Sequence, residues 1–324
     1  MSVLTIVRLG FVAMSMELQN CSPSQTMTYK QFSTIKDREA AIGKLERIAS
    51  SNLENCLRLL KHCWVNNIQF FRFSSRLIPL ANHEELEDWK FMRSLKEPLK
   101  AIAEYLINHP IRVDFHPDHF VLLNSTKDKI LKNSLKTLAM HETLLKGMKV
   151  NSEHRCVLHI GGAHDDKEQA LEQFIENWGD VPGRIQKMII LENDDTSFTL
   201  KDTLYLCEKL GIPLVFDYHH HLANHETENW IDDWERVIAT WETSKLPIKM
   251  HISSPRSKEE YRAHSDTIDV DMFWTFLREI KGTIPEIHCM IEAKQKDQAL
   301  FELANQLRQS SEVEPLNQSS FRLR

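Results

Sequence analysis

The sequence predicts a single (β/α)8 TIM barrel of the α/β class, with a metal cluster at the C-terminal ends of its strands. Three observations carry that expectation. Strand-like and helix-like segments alternate eight times along 324 residues, as parallel strands joined by helical crossovers require. Nearly every expected strand ends in a histidine, a carboxylate or a basic residue, and in this fold the strand ends converge on one mouth. No G-x-G-x-x-G follows the first strand, which weakens the rival reading, a doubly wound open sheet.

The length suits one large domain, read as a barrel over residues 1–305 followed by a polar C-terminal tail over 306–324. Hydrophobic residues make up 42% of the chain, ample for a core. No apolar run approaches the roughly 20 residues of a membrane span. The apolar start, MSVLTIVRLGFVAMSM, has no basic n-region and no small-residue cleavage site, so it reads as a strand rather than a signal peptide. The six cysteines are scattered and form no C-x-x-C pair, which fits reduced, buried thiols and a cytoplasmic protein. The formal net charge of −6 argues against broad nonspecific binding to nucleic acid. It leaves open an enzyme that acts on nucleic acid through bound metal ions.

In chain order, the β-rich runs are LTIVRLGFV, IQFFRFSS, IRVDFHP, CVLHIGG, KMIILEND, PLVFDYHH, PIKMHISS and IHCMIEAK. Between them lie segments with apolar residues at three- and four-residue steps, the period of an amphipathic helix. These include AIGKLERIASSNLENCLRLLKHCWVNN, HEELEDWKFMRSLKEPLKAIAEYLINH, SLKTLAMHETLLKGM, KEQALEQFIENW and LKDTLYLCEKLG. The last ends on Gly211, where a helix C-cap favours glycine. Trp64, inside the first helical pattern, is expected in the core. The closing RQSSEVEPLNQSSFRLR is polar and is expected to fray.

Strand one ends near Phe11. Strand two leads to Arg72 and then His83. Strands three to six end at His116, His159, Glu192 and Asp217 with His220. Strand seven carries Lys249 and His251 on one face, since they are two residues apart. His264 follows in a loop, and strand eight ends at Glu292. One such residue at a strand end is ordinarily a satisfied buried polar group. Five at matching ends of separate strands point to ligands. Imidazoles and carboxylates without thiolates suit zinc or manganese. The set is too large for one ion, and clustered ions favour phosphoryl transfer because they stabilise both attacking and leaving oxygens. His219 and His221 read as supporting or surface residues, and His62, His109, His141, His154, His225 and His288 as structural or solvent-facing. A lysine aimed into the mouth is costly unless paired with phosphate or carboxylate, so Lys249 reads as functional. Arg72 and Arg76 suit a phosphate backbone as well as an ordinary surface. Phe11 and Phe120 are candidates for stacking on bases as well as for the core.

Taken together, FHPDHF, VLHIGGAHDDK, ILENDD, VFDYHHH, KMHISSP and MIEAKQKD resemble the ultraviolet-damage endonucleases. RLGFV and FFRFSSRLIPLANH fit the same pattern, and the resemblance spans about residues 5–300. Its wider relatives are endonuclease IV and the xylose isomerase-like barrels. It implies up to three divalent metal ions, manganese first, with zinc, magnesium or cobalt as alternatives. The implied ligands are His116, His159 and Glu192 for one ion, Glu192, Asp217, His251 and Glu292 for another, and His220 with His264 for a third. Glu192, Lys249, Glu292 and His83 would be catalytic, and Lys249 matches a family lysine that can be carboxylated. Phe11, Arg72, His119 and Phe120 would contact the DNA lesion. His119 and Phe120 stand where the family usually has glutamine and an aromatic, often tyrosine, and this departure bears on lesion preference.

The implied reaction is a metal-dependent single-strand incision immediately 5′ of cyclobutane pyrimidine dimers and (6-4) photoproducts, leaving a 3′-hydroxyl and a 5′-phosphate. Abasic sites are plausible further substrates. The implied partner is double-stranded DNA carrying ultraviolet lesions, met by a monomer associated with the nucleoid and not with a membrane. The rival enzyme is a sugar isomerase on the same barrel. The rival from another class is a non-catalytic metal-binding protein.

Overall fold

A computed structural model describes residues 4–163 and 166–324. Residues 164 and 165 of the VLHIGGAHDDK motif lie outside that range. Eight parallel strands form the barrel: β1 Ile6–Val12, β2 Phe70–Arg72, β3 Arg112–Asp114, β4 Cys156–His159, β5 Ile189–Glu192, β6 Leu214–Asp217, β7 Ile248–Ile252 and β8 Glu286–Ile291. Each falls inside, or within one residue of, an expected run. The hydrogen-bonded order is β3-β2-β1-β8-β7-β6-β5-β4. The ring closes between β3 and β4 through the bridge Phe115↔Cys156, with Phe115 N–H donating to the Arg155 carbonyl at 2.8 Å. That seam is the thinnest junction in the barrel.

Strand alternation sorts the side chains into two sets. Phe71, Phe115, Phe216 and Ile287 point outward and are buried under the helices at Arg38–Val65, Lys96–Asn108, Asp128–Gly147, Lys167–Trp178, Leu200–Leu210, Val270–Ile280 and Lys296–Leu307. Inward-facing positions are mostly polar or charged, and Val12, Phe70 and Met290 form a small separate apolar cluster among them. The helices start where their sequences allow. Asp37 accepts from Glu39 N–H, Asp166 from Gln169 N–H, and Thr199 with Asp202 makes a capping box. Gly211 ends its helix at φ 66°, as the C-cap reading required.

Two expectations are corrected. The C-terminal tail does not fray. β9 Val313–Pro315 and β10 Ser320–Leu323 form a hairpin, and β10 pairs antiparallel with the first half of β1, with Val7 opposite Phe321. β2 is short and pairs only with Phe11 and Val12 of β1. The lower half of β1 would otherwise present a free edge, and the hairpin covers it. Phe321 and Leu323 are each 2% exposed. Trp64 is not core. It is 39% exposed near the end of its long helix, edge-on to His109 at 4.8 Å, because that helical face has run past the barrel. All six cysteines are free and buried, as expected. No helix among the described residues is long and apolar enough to cross a membrane.

Candidate metal centre at the barrel mouth

Glu192, at the end of β5, is the hub. His116 Nε2 lies 2.8 Å from its Oε2, and His159 Nε2 lies 3.7 Å from the same oxygen. On its other side His251 Nδ1 approaches Oε1 at 2.7 Å and His220 Nδ1 at 3.6 Å. His251 Nδ1 is also 3.1 Å from Glu292 Oε1, and His220 Nδ1 is 3.8 Å from Asp217 Oδ2. Three groups of potential ligand atoms result, each within 4.8 Å: His116–His159–Glu192, Glu192–His251–Glu292, and Glu192–Asp217–His220. The first group brings together the same three residues that the resemblance implies for one ion. Asp217 sits with His220 rather than with His251. His264 stands aside, its ring 6.3 Å from that of His220 and its Nδ1 donating to the Glu292 carbonyl at 2.8 Å.

Local structure explains how separate strands deliver these groups. Asp217 ends β6 and caps the short helix Tyr218–Ala223, accepting from His220 N–H at 2.8 Å. That turn swings His220 back over the mouth. Asn193, not singled out from sequence, fixes the pair: its amide donates to the Asp217 carbonyl, its Oδ1 accepts from Asp217 N–H, and its own carbonyl accepts from His220 Nδ1, all at 2.9 Å. The signal available was its place directly after Glu192. Gly161 follows His159 with φ 125°, and a side chain there would collide with Asn124. His219 and His221 are both buried. His219 Nδ1 meets Ser253 Oγ at 2.6 Å, and its Nε2 donates to the Tyr261 carbonyl.

The electrostatics follow from burying so many titrating groups together. Burial alone would raise Glu192. His251, His159 and the hydrogen bonds from His116 and His251 outweigh it, so the carboxyl is held well below the usual range. Burial likewise would raise Glu292, and Arg72 with His251 brings it down. Burial pushes Asp217 up to about 7 against the pull of His220. His220 is raised to about 9 because Asp217 and Glu192 overcome its desolvation. Burial pulls His251 down to about 4. The donor set fits divalent cations: imidazole nitrogens and carboxylate oxygens, no thiolate, and a fully buried Asp217 Oδ2 that has no hydrogen-bond partner.

Lys249 lies deeper. It is 0% exposed, with Nζ 2.8 Å from Asp114 Oδ2 and 5.3 Å over the Phe70 ring. Burial lowers it to about 8, and Asp114 opposes that. The ammonium form fits this contact, whereas carboxylation would set two anions against each other. Asp114 was missed from sequence, although alternation in IRVDFH puts it on the same face as His116. Arg72 does reach the mouth, where it pairs with Glu292. His119 and Phe120 sit on the loop after β3, with rings 4.1 Å apart and Phe120 72% exposed.

Two expected site residues are elsewhere. Phe11 is fully buried on the outer face of β1, 5.1 Å from Phe71, so its ring is not available to a base. Alternation turns that position toward the helices. His83 caps the 3-10 turn Glu84–Leu86 and stacks on Tyr29 at 4.1 Å. The long loop after β2 carries it away from the cluster.

A parallel barrel with an inward-facing histidine and carboxylate cluster is the architecture of metal-dependent lyases, isomerases and nucleases alike, and comparison with known proteins separates them. The family described as UV-endonuclease UvdE matches residues 7–323, and the chain belongs to it. The UV DNA damage endonuclease of Halalkalibacterium halodurans is 51% identical over 315 residues, covering 97% of this chain and 98% of that one. The UV DNA damage endonuclease of a Bacillus cereus strain is 37% identical over 302 residues, covering 93% and 95%. Among solved structures, SacUVDE superposes with TM-score 0.81 at 29% identity, covering 94% of this chain and 98% of that one. Endonuclease IV from Thermus thermophilus, with TM-score 0.56 and 12% identity over 94% of this chain and all of that one, shares the fold.

Proposed function

We propose that this protein is a metal-dependent DNA repair endonuclease that cuts one strand immediately 5′ of ultraviolet photoproducts. Cyclobutane pyrimidine dimers and (6-4) photoproducts are the substrates, abasic sites are a further one, and the ends left are a 3′-hydroxyl and a 5′-phosphate. The observation that carries the reading is the set of three ligand groups sharing Glu192, in a chain similar over 97% of its length to a UV DNA damage endonuclease.

His116 and His159 with Glu192, His251 and Glu292 with Glu192, and Asp217 and His220 with Glu192 would hold the ions. When bound, divalent ions, manganese first, supply Lewis acidity and a nucleophile at neutral pH. The chain's own residues do the rest. Glu192 bridges the three groups and sets their spacing. Asn193 orients Asp217 and His220. Arg72, paired with Glu292 at the rim, is placed to receive a backbone phosphate. Phe120, exposed beside His119, wedges where damaged bases unstack, and a dimer-containing step is cheaper to open than intact duplex. His264 donates through Nδ1 to the Glu292 carbonyl, which leaves Nε2 free to join His220 at the third ion. The test is incision of a duplex carrying one defined lesion. Glu192→Gln should abolish it while leaving a folded barrel, and retained nicking by that variant would remove Glu192 from its role.

A further inference from the structure

The opposite end of the barrel holds a second polar site. A cavity of about 440 Å³ opens at the N-terminal ends of the strands, lined by Arg8, Arg112, Lys149, Arg155, Glu286 and His288. Four formal cations face one carboxylate there, in a chain whose net charge is −6. The carboxylate is already engaged: Glu286 Oε1 accepts from Arg8 Nε at 2.8 Å and from His288 Nε2 at 2.9 Å. The other carboxylate nearby, Asp114, is paired with Lys249.

Arg112 and Arg155 feel the charge of Asp114 but form no ion pair with any carboxylate among the described residues. Arg112 is only 7% exposed, and its Nη1 donates to the Pro247 carbonyl at 2.8 Å. Its Nε and Nη2, the edge that forks onto an oxyanion, have no partner. Arg155 donates through Nη1 to the Val113 carbonyl, and its Nε has no partner either. Burial pulls Arg112 down to about 9, so it remains a cation at neutral pH. Buried guanidinium donors left unpaired are expensive, and an oxyanion would satisfy them.

We propose that this floor cavity binds a phosphate-type oxyanion held by Arg112 and Arg155, with Lys149 at the rim. The two arginines flank the seam between β3 and β4, whose backbone pairing is the single Phe115↔Cys156 bridge and which Arg155 also crosses through its bond to the Val113 carbonyl. Bound there, the anion ties β3 to β4 and stabilises the barrel at its thinnest junction. Free phosphate and the phosphate of a nucleotide share this chemistry. The nucleotide would add contact with the apolar wall at Ile107, which is 63% exposed.

The test is thermal unfolding of the manganese-loaded protein against inorganic phosphate and, separately, thymidine monophosphate, with ionic strength held constant by chloride. The expected result is a saturable rise in Tm, about 2 °C or more at ten times Kd. Arg155→Gln should weaken the midpoint at least ten-fold and leave incision of lesion DNA unchanged. His116→Ala should keep the rise, because the anion does not sit on the metal cluster. If Arg155→Gln does not fold, Lys149→Gln at the exposed rim should weaken the midpoint about three-fold. Equal rises with the two ligands identify free phosphate, and a larger rise with the nucleotide identifies the ester. No saturable rise, or a rise undiminished in Arg155→Gln or Lys149→Gln, overturns the proposal.

Discussion

Asp114→Ala isolates the buried pair beneath the metal cluster. Asp114 and Lys249 are both 0% exposed, and their contact is 2.8 Å. Removing the carboxylate leaves a fully buried lysine without its counter-ion. Two costs add. The charge-assisted hydrogen bond is worth about 1.5–3 kcal/mol. Lys249 then discharges, and bringing a group at about 8 to neutrality at pH 7 costs about 1.4 kcal/mol. The expected loss is about 3–4 kcal/mol, at the lower end of what breaking a buried ion pair usually costs. The sign with pH is fixed. The native-state value of Lys249 lies below its unfolded value of about 10.4, and the variant's lies lower still. Between those two native values the wild type holds a proton that the variant has lost. The penalty therefore shrinks as pH rises from 7 to about 8 and is flat above that. Urea unfolding at pH 7 and pH 9 reads both numbers, and the double variant Asp114→Leu with Lys249→Met should recover most of the loss. A cost under 1 kcal/mol, or one unchanged between the two pH values, would refute the reasoning.

Other outcomes follow from the same structure. Phe321→Ala should cost about 3 kcal/mol, since it empties a site 2% exposed under β1; urea unfolding that moves by less than 1 kcal/mol would mean the C-terminal hairpin is not tied to the barrel. Burial holds His141 and His288, both away from the metal cluster, at about 4. Their unfolded forms take up protons near 6.5, so each removes up to about 3 kcal/mol of stability as pH falls from 6.5 to 4 and nothing above 6.5. His141→Gln should flatten that fall by about one proton in a plot of stability against pH. Phe120→Ala should leave stability within about 0.5 kcal/mol, because the ring is 72% exposed. It should lower incision of dimer-containing DNA about ten-fold, the scale of one lost base stack.

The barrel was legible in the sequence because each strand ends in a recognisable residue and each helix keeps its period. His116, His159, Glu192, Asp217, His220, His251 and Glu292 are legible as candidates because ligand chemistry stands out at a strand end, and the fold brings them together. What was not legible depends on contacts between distant segments. Nothing within VEPLNQSSFRLR says that β2 is too short to cover β1, so the hairpin at Val313–Leu323 was read as a tail. Phe11 was assigned to the mouth by its place at a strand end, but its one-residue register puts it on the outer face. His83 belonged to a loop whose course the sequence does not fix. Asp114, Asn193, Arg112 and Arg155 are not legible in the sequence because each is ordinary alone and is given meaning by a partner on another strand.

The most direct measurement is incision of a duplex with one defined cyclobutane dimer by the manganese-loaded protein, beside an undamaged duplex and a chelated sample. A single cut immediately 5′ of the dimer, absent from both controls and from Glu192→Gln, is the predicted result. Intact dimer-containing DNA after incubation with folded, metal-loaded protein would contradict the account.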